Sequence, residues 1–120
     1  MYKVLIVDDS PTVREMVSDQ LRSSGFEVIE AVDGEEAIAK IQGGLPDVIV
    51  TDIVMPRKNG YELTRWLKNE PSTKHIPVVM CTSKSEEFDI YWGMKQGADA
   101  YITKPYHPPD LVAAVKRLLK

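Results

Sequence analysis

Cysteine is almost absent: Cys81 stands alone in 120 residues, so no intrachain disulfide can staple the fold. Long hydrophobic runs are missing as well. No apolar stretch approaches the roughly 20 residues a membrane helix needs. The apolar run that follows Met1 stops at Asp8 and Asp9, too short and too abruptly charged for a secretory leader. Neither sign of charge prevails. Fifteen Lys and Arg against 18 Asp and Glu leave a net charge of -3, which excludes the basic excess expected of a nucleic-acid module. With 43% hydrophobic residues, the chain is not an acidic disordered tail either. His75 and His107 lie near prolines with no ligand-spaced Cys or His beside them, so they read as surface residues. The expectation is one soluble, cytoplasmic domain over residues 1–120 with no membrane and no nucleic-acid contact.

What is there falls into two alternating kinds of segment. Val4-Leu5-Ile6-Val7, Val48-Ile49-Val50 and Val78-Val79-Met80-Cys81 are short, continuous and mostly β-branched. Such runs suit strands covered on both faces, as in a parallel sheet. Phe26, Val28 and Ile29 suggest a further strand, and Ala100-Tyr101-Ile102-Thr103 a fifth. Between them lie helical patterns. Ser10-Pro11 reads as an N-cap and first turn, Val13, Met16, Val17 and Leu21 as a buried stripe, and Gly25 as the stop. Asp33 with Glu36, Asn59 with Glu62, and Ser83 with Glu86 have capping-box spacing and predict the next three starts. Pro108 or Pro109 opens a last helix carrying Leu111, Val112, Val115, Leu118 and Leu119. Strand and helix therefore alternate five times. Crossovers of this length make parallel strands with helices on both faces, an α/β doubly wound five-stranded parallel sheet.

In such sheets ligands bind beyond the carboxyl ends of the strands. The first strand ends at Asp8-Asp9, the third at Asp52, the fourth at Thr82-Ser83 and the fifth at Lys104-Pro105. Taken singly, Asp8 and Asp9 read as helix caps, Asp52 as a turn residue, Thr82 as an ordinary strand end and Lys104 as a solvated charge. Together they put three carboxylates, a hydroxyl and an ammonium on one edge. Two carboxylates about 4 Å apart repel by roughly 4 kcal/mol at an effective dielectric near 20, and one lysine does not balance three acids. An all-oxygen donor set with open positions suits a hard divalent ion such as Mg²⁺. Asp52 can then serve as a nucleophile toward a phosphoryl group, with Lys104 and Thr82 binding the phosphoryl oxygens.

Val7-Asp8-Asp9-Ser10, Thr51-Asp52-Ile53-Val54-Met55-Pro56 with Asn59-Gly60, Thr82-Ser83 and Tyr101-Ile102-Thr103-Lys104-Pro105 resemble the receiver domain of bacterial two-component response regulators. The resemblance runs from Tyr2 to Lys120. It implies a flavodoxin-like (βα)5 fold with strand order 2-1-3-4-5. It implies Asp52 as phosphoacceptor, taking its phosphoryl group from a histidine kinase or phosphotransfer protein. Mg²⁺ would be held by Asp9, Asp52 and the Val54 backbone carbonyl, and by Asp8 through water. Thr82 and Lys104 would bind the phosphoryl oxygens, and Tyr101 would be the switch aromatic. The receiver would be a switch with weak intrinsic phosphotransfer and autodephosphorylation activity, a monomer in its stand-alone form, and would signal to a downstream output protein through the face of the fourth helix, fifth strand and fifth helix. A cis Lys104-Pro105 bond is a further family expectation.

The fourth helix carries Phe88, Ile90, Tyr91, Trp92 and Met94, too many large apolar residues for one stripe about 100° wide. At least one is expected to face outward as a partner anchor, Ile90 first and Phe88 second, beside Tyr101. Ser83 replaces the alanine of many receivers and is small enough to be tolerated. Val54 and Lys84 lie at positions that tune phosphoryl lifetime in the family, and the apolar Val54 side chain cannot orient an attacking water, so slow dephosphorylation is expected. Asp8-Asp9-Ser10-Pro11-Thr12, Asp52-Ile53-Val54-Met55-Pro56 and Trp92-Gly93 with Gln96-Gly97-Ala98 look like stand-alone regulators of twitching motility, with chemotaxis regulators close by. Motility or taxis is therefore expected rather than transcription, with a domain cut from a longer protein as the other possibility. Three other classes fit part of the same residue set. An aspartyl-nucleophile phosphatase would want a second Asp where Val54 stands. An interaction module working without phosphorylation would not need Asp52 and Lys104. A flavin carrier would need a phosphate-cradling loop in place of three acids.

Overall fold

In the computed structural model, which describes residues 1–119, ten elements alternate along the chain. They are β1 (Lys3–Val7), α1 (Pro11–Ser23), β2 (Glu27–Ala31), α2 (Gly34–Gly43), β3 (Val48–Thr51), α3 (Gly60–Asn69), β4 (Val78–Thr82), α4 (Glu87–Gln96), β5 (Ala100–Thr103) and α5 (Pro108–Leu118). All strands are parallel, in the order β2-β1-β3-β4-β5. The expected fold and strand order are therefore found.

Alternation along the strands splits the core. Val4 and Ile6 of β1 face Val17 and Leu21 of α1 and Leu111 and Val115 of α5. Leu5 and Val7 face the other way, toward Ala37 and Ile41 of α2 and Leu63 and Leu67 of α3. β1, β3 and β4 are buried almost throughout, the burden of strands covered on both sides. A smaller cluster of Ile53, Met80 and Ala98, with Tyr61 and Tyr101 packed on it, lies under α4.

Helix starts follow the sequence with two corrections. The Ser10 hydroxyl accepts from the Val13 N–H with Pro11 in the first turn, and Asn59 and Glu62 form a complete capping box. At α2, Asp33 caps the Glu36 N–H, but the Glu36 carboxylate accepts from Val32, one residue before the N-cap. The fourth helix does not begin at Ser83. Glu86 is its N-cap, and the Asp89 carboxylate accepts from the Glu86 N–H. The Lys84 N–H points to the Thr82 hydroxyl while the Lys84 carbonyl accepts from the Tyr101 hydroxyl, so residues 83–85 are held as a loop. β2 begins at Glu27, leaving Phe26 just outside but in the core.

Candidate functional site

Register brings the strand ends together. Val7, Thr51, Met80 and Tyr101 stand in one row across the sheet, so the residues just past β1 and β3 project from the same edge. Carboxylate oxygens of Asp8, Asp9 and Asp52 all lie within 4.8 Å of one another. Asp8 is buried and Asp9 exposed, which makes Asp9 the solvent side of the cluster.

Each group is fixed by the local chain. Asp8 Oδ1 accepts from the Ser10 N–H at 2.9 Å, tying it to the start of α1, and the Arg14 guanidinium donates to its carbonyl at 2.8 Å. Asp52 Oδ1 accepts from the Ile53 N–H at 2.6 Å. Lys104 reaches in from the end of β5, its Nζ 3.0 Å from Asp8 Oδ2 and 3.5 Å from Asp52 Oδ2. Burial alone would lower the Lys104 pKa. The hydrogen bond to Asp8 and the charges of Asp52 and Asp8 outweigh it and hold the ammonium above its ordinary value. The Lys104-Pro105 peptide bond is cis, as expected.

Three carboxylates and one ammonium leave two negative charges on this edge. An all-oxygen cluster of that charge fits a hard divalent cation that keeps part of its hydration shell. Thr82 is fully buried at the end of β4, the strand next to β3. Val54 projects its side chain into solvent, 58% exposed.

Gly60 shows why the segment after Asp52 must turn so tightly. A Cβ there would fall 2.2 Å from the Asp52 carbonyl oxygen, and the Gly60 N–H donates to Ile53 at 2.9 Å. The loop of residues 53–59 thus closes on the backbone of Asp52. Sequence reading did not anticipate a second contact of this loop. Arg57 pairs with the buried Asp33 at the start of α2. The two are 24 residues apart, and no local motif marks the pairing.

Tyr101 lies inward. Its hydroxyl donates to the Lys84 carbonyl at 2.7 Å, and its ring packs where a Cβ on Gly93 would stand, 2.9 Å from Cε2. Burial, first of all, pushes its phenol pKa up. Tyr61 of α3 joins it and donates to the Asp89 carbonyl at 3.4 Å. Cys81 is buried in β4, with its thiol pushed up to about 11 chiefly by burial, which suits a core residue rather than a nucleophile.

On α4 the outward set is larger than expected and ordered differently. Phe88 is 70% and Tyr91 60% exposed, with Trp92 and Met94 also open, whereas Ile90 is half-buried. Phe88 and Trp92, one turn apart, stack with ring planes 4° from parallel. No helix among the described residues is long and apolar enough to cross a membrane.

Comparison with known proteins agrees with this geometry. The family described as the response regulator receiver domain matches residues 4–116. Protein PilH of Pseudomonas aeruginosa is 40% identical over 99% of this chain and 98% of its own length. The phosphate regulon transcriptional regulatory protein PhoB of Escherichia coli is 40% identical over 98% of this chain, which spans about half (52%) of the PhoB length. The solved structure of the chemotaxis response regulator CheY4 of Vibrio cholerae superposes with a TM-score of 0.92 at 38% identity, covering 99% of both chains.

Proposed function

The chain belongs to the response regulator receiver domain family, whose general function is that of a phosphorylation-activated signalling switch, and from that premise we propose that Asp52 is its phosphoacceptor. The observation that carries this reading is the convergence of Asp8, Asp9 and Asp52 within 4.8 Å, with Lys104 bridging two of them. Receiver domains generally bind Mg²⁺ at an acidic pocket. Here Asp9, Asp52 and the Val54 carbonyl would hold the ion, with Asp8 acting through a water. When bound, it supplies positive charge that neutralises the carboxylates and the incoming phosphoryl oxygens.

An Asp52 carboxylate oxygen forms the new bond to phosphorus as the bond to the donor breaks. The donor, a histidine kinase or phosphotransfer protein, keeps the electron pair on its imidazole nitrogen. Lys104 stabilises charge on the phosphoryl oxygens, and the Thr82 hydroxyl donates to one of them. Autodephosphorylation by water is slow, because the exposed Val54 side chain offers no group to orient the attacking molecule.

A phosphoryl group adds about -1.5 to -2 of charge and strong acceptor oxygens. That difference biases the Thr82 loop, α4 and Tyr101 toward one arrangement and alters the α4–β5–α5 face for an output protein. The exposed Phe88, with Tyr101 and Ile90 behind it, marks that face. Similarity to PilH and CheY4 over nearly their whole lengths supports motility or taxis; on this reading the chain acts as a cytoplasmic monomer. Equal identity to PhoB keeps transcriptional control as the second reading.

The test is acetyl phosphate with and without Mg²⁺, read by intact mass and Trp fluorescence, beside Asp52→Ala. A Mg²⁺-dependent gain of about 80 Da that vanishes in the variant is expected. No adduct on the wild-type chain would leave a fold that works by interaction alone.

A further inference from the structure

Among the described residues, Arg57 is the one non-glycine residue with positive φ, at +64°. That region is normally left to Gly, Asn or Asp. Its side chain accounts for the choice. The guanidinium engages the carboxylate of Asp33 through Nε and a terminal nitrogen, and Asp33 is only 2% exposed. The other Asp33 oxygen accepts from the Glu36 N–H at 2.8 Å and caps α2. One residue further on, the Gly34 N–H donates to the Lys58 carbonyl at 2.9 Å. A Cβ at Gly34 would come within 2.6 Å of that oxygen, so the approach requires glycine.

Two adjacent links therefore tie residues 57–58 to the start of α2. The remaining ties of the 53–60 loop are of a different kind. The Gly60 N–H donates to Ile53 and the Asn59–Glu62 box starts α3, so both belong to the segment itself, while Met55 anchors the middle in the core. Among the described residues, the contact with α2 is the one polar brace on the outer half of the loop that comes from elsewhere in the chain. Val54 lies on that loop, three residues before Arg57 and two after Asp52.

We propose that the Asp33–Arg57 pair is a positioning device for the cation site, holding the backbone of residues 54–58 in one conformation before the ion binds. The proposal rests on the reading of the acidic cluster as a Mg²⁺ site. Neither residue belongs to that cluster. Their effect is indirect, through the conformational freedom that the loop would otherwise give up on binding. Buried Asp33 keeps its charge because the Glu36 amide and the Arg57 guanidinium together hold its carboxyl below the usual carboxylate range.

The experiment is calorimetric titration of the full chain with MgCl₂, on wild type, Arg57→Gly, Arg57→Lys, Asp33→Asn and the Arg57→Gly/Asp33→Asn double variant. Glycine adopts the left-handed φ freely and asparagine caps helices well, so these variants keep the backbone and the cap. Outer partners of metal ligands typically matter about 10- to 100-fold, and a brace one step further out should matter less. The Mg²⁺ Kd is expected to rise about 3- to 10-fold in either single variant. The double variant should be no worse than the singles, and lysine should recover part of the loss. Amide exchange at Gly34 should quicken in the metal-free variants. Wild-type Kd values in both singles overturn the proposal whatever their melting temperatures, and so do losses that add in the double variant. A folded wild-type chain that takes up no Mg²⁺ overturns the metal-site reading itself, and the proposal with it.

Discussion

α3 and α4 are neighbours of equal length, ten residues each, and each has an N-cap amide bonded by a carboxylate three residues on. There the likeness ends. α3 buries Gly60, Leu63, Thr64 and Leu67, whereas α4 buries only Gly93. Beyond the close packing of Gly93 on Met80 and Tyr101, α4 is held by a handful of polar contacts: Tyr61 to the Asp89 carbonyl, Arg65 to Gln96, Lys84 to Asp89, and Tyr101 to Lys84 just ahead of it. Helix starts with the same chemistry thus serve a fixed strut in one case and a loosely seated element in the other. The stability of each follows from side-chain burial rather than from its cap. An element that moves in a switch must come from the weakly held part of a fold.

Substitutions can break this contrast. Leu67→Ala removes a fully buried side chain from α3 and should cost about 2–5 kcal/mol in urea unfolding. No single truncation on the outer face of α4 should approach that. Gly93→Ala places a Cβ 2.8 Å from the Met80 sulfur and 2.9 Å from the Tyr101 ring. Overpacking there should cost about 1–3 kcal/mol, and the Tyr101 ring signals in NMR should shift as the ring is displaced. Tyr101→Phe keeps the packing but loses the bond to Lys84, for about 0.5–1.5 kcal/mol. Faster amide exchange in α4 and unchanged exchange in α3 would sharpen the contrast. Phe88→Ala should change stability by less than about 0.5 kcal/mol, because the ring is exposed. A larger loss would mean that the α4 surface is part of the core after all.

Acid should act on the fixed side. The Asp33 carboxyl is held below its ordinary value of 3.8, so its contribution to stability is present above that pH and fades as pH falls through the lower, folded-state value. The stability deficit of Asp33→Asn, measured by denaturation at several pH values, should be constant near neutrality and shrink only in strong acid.

The same contrast governs what could be read from sequence. The β-branched runs, Ser10-Pro11 and Asn59–Glu62 are local signals, and each produced the element it predicted. The acidic cluster was legible because parallel strands must end on one edge, which brings Asp8, Asp9 and Asp52 together without further information. The start of α4 was not legible. Ser83 and Glu86 have the right spacing, but Lys84 is claimed by Tyr101 from a strand 17 residues away. The ranking of its outward residues, Ile90 before Phe88, is reversed in the structure, since apolar residues surround the helix and no stripe singles out a buried side. Asp33 looked like a cap and is one; its second partner lies 24 residues on and depends on a left-handed turn that an arginine does not advertise.

On the proposed reading of Asp52 as acceptor, the strand order sets how far a message must travel. Asp52 follows β3 at the centre of the sheet, Thr82 ends β4 beside it, and Tyr101 sits on β5 at the rim. Two strand spacings, roughly 10 Å, separate the acceptor strand from the outermost one. β2 lies in the opposite direction, two strands from β3 on the far side of β1. Under the proposed switch, a spectroscopic probe on β5 lies on the Thr82–Tyr101 side of Asp52, whereas one on β2 lies toward α2 and the Asp33–Arg57 pair.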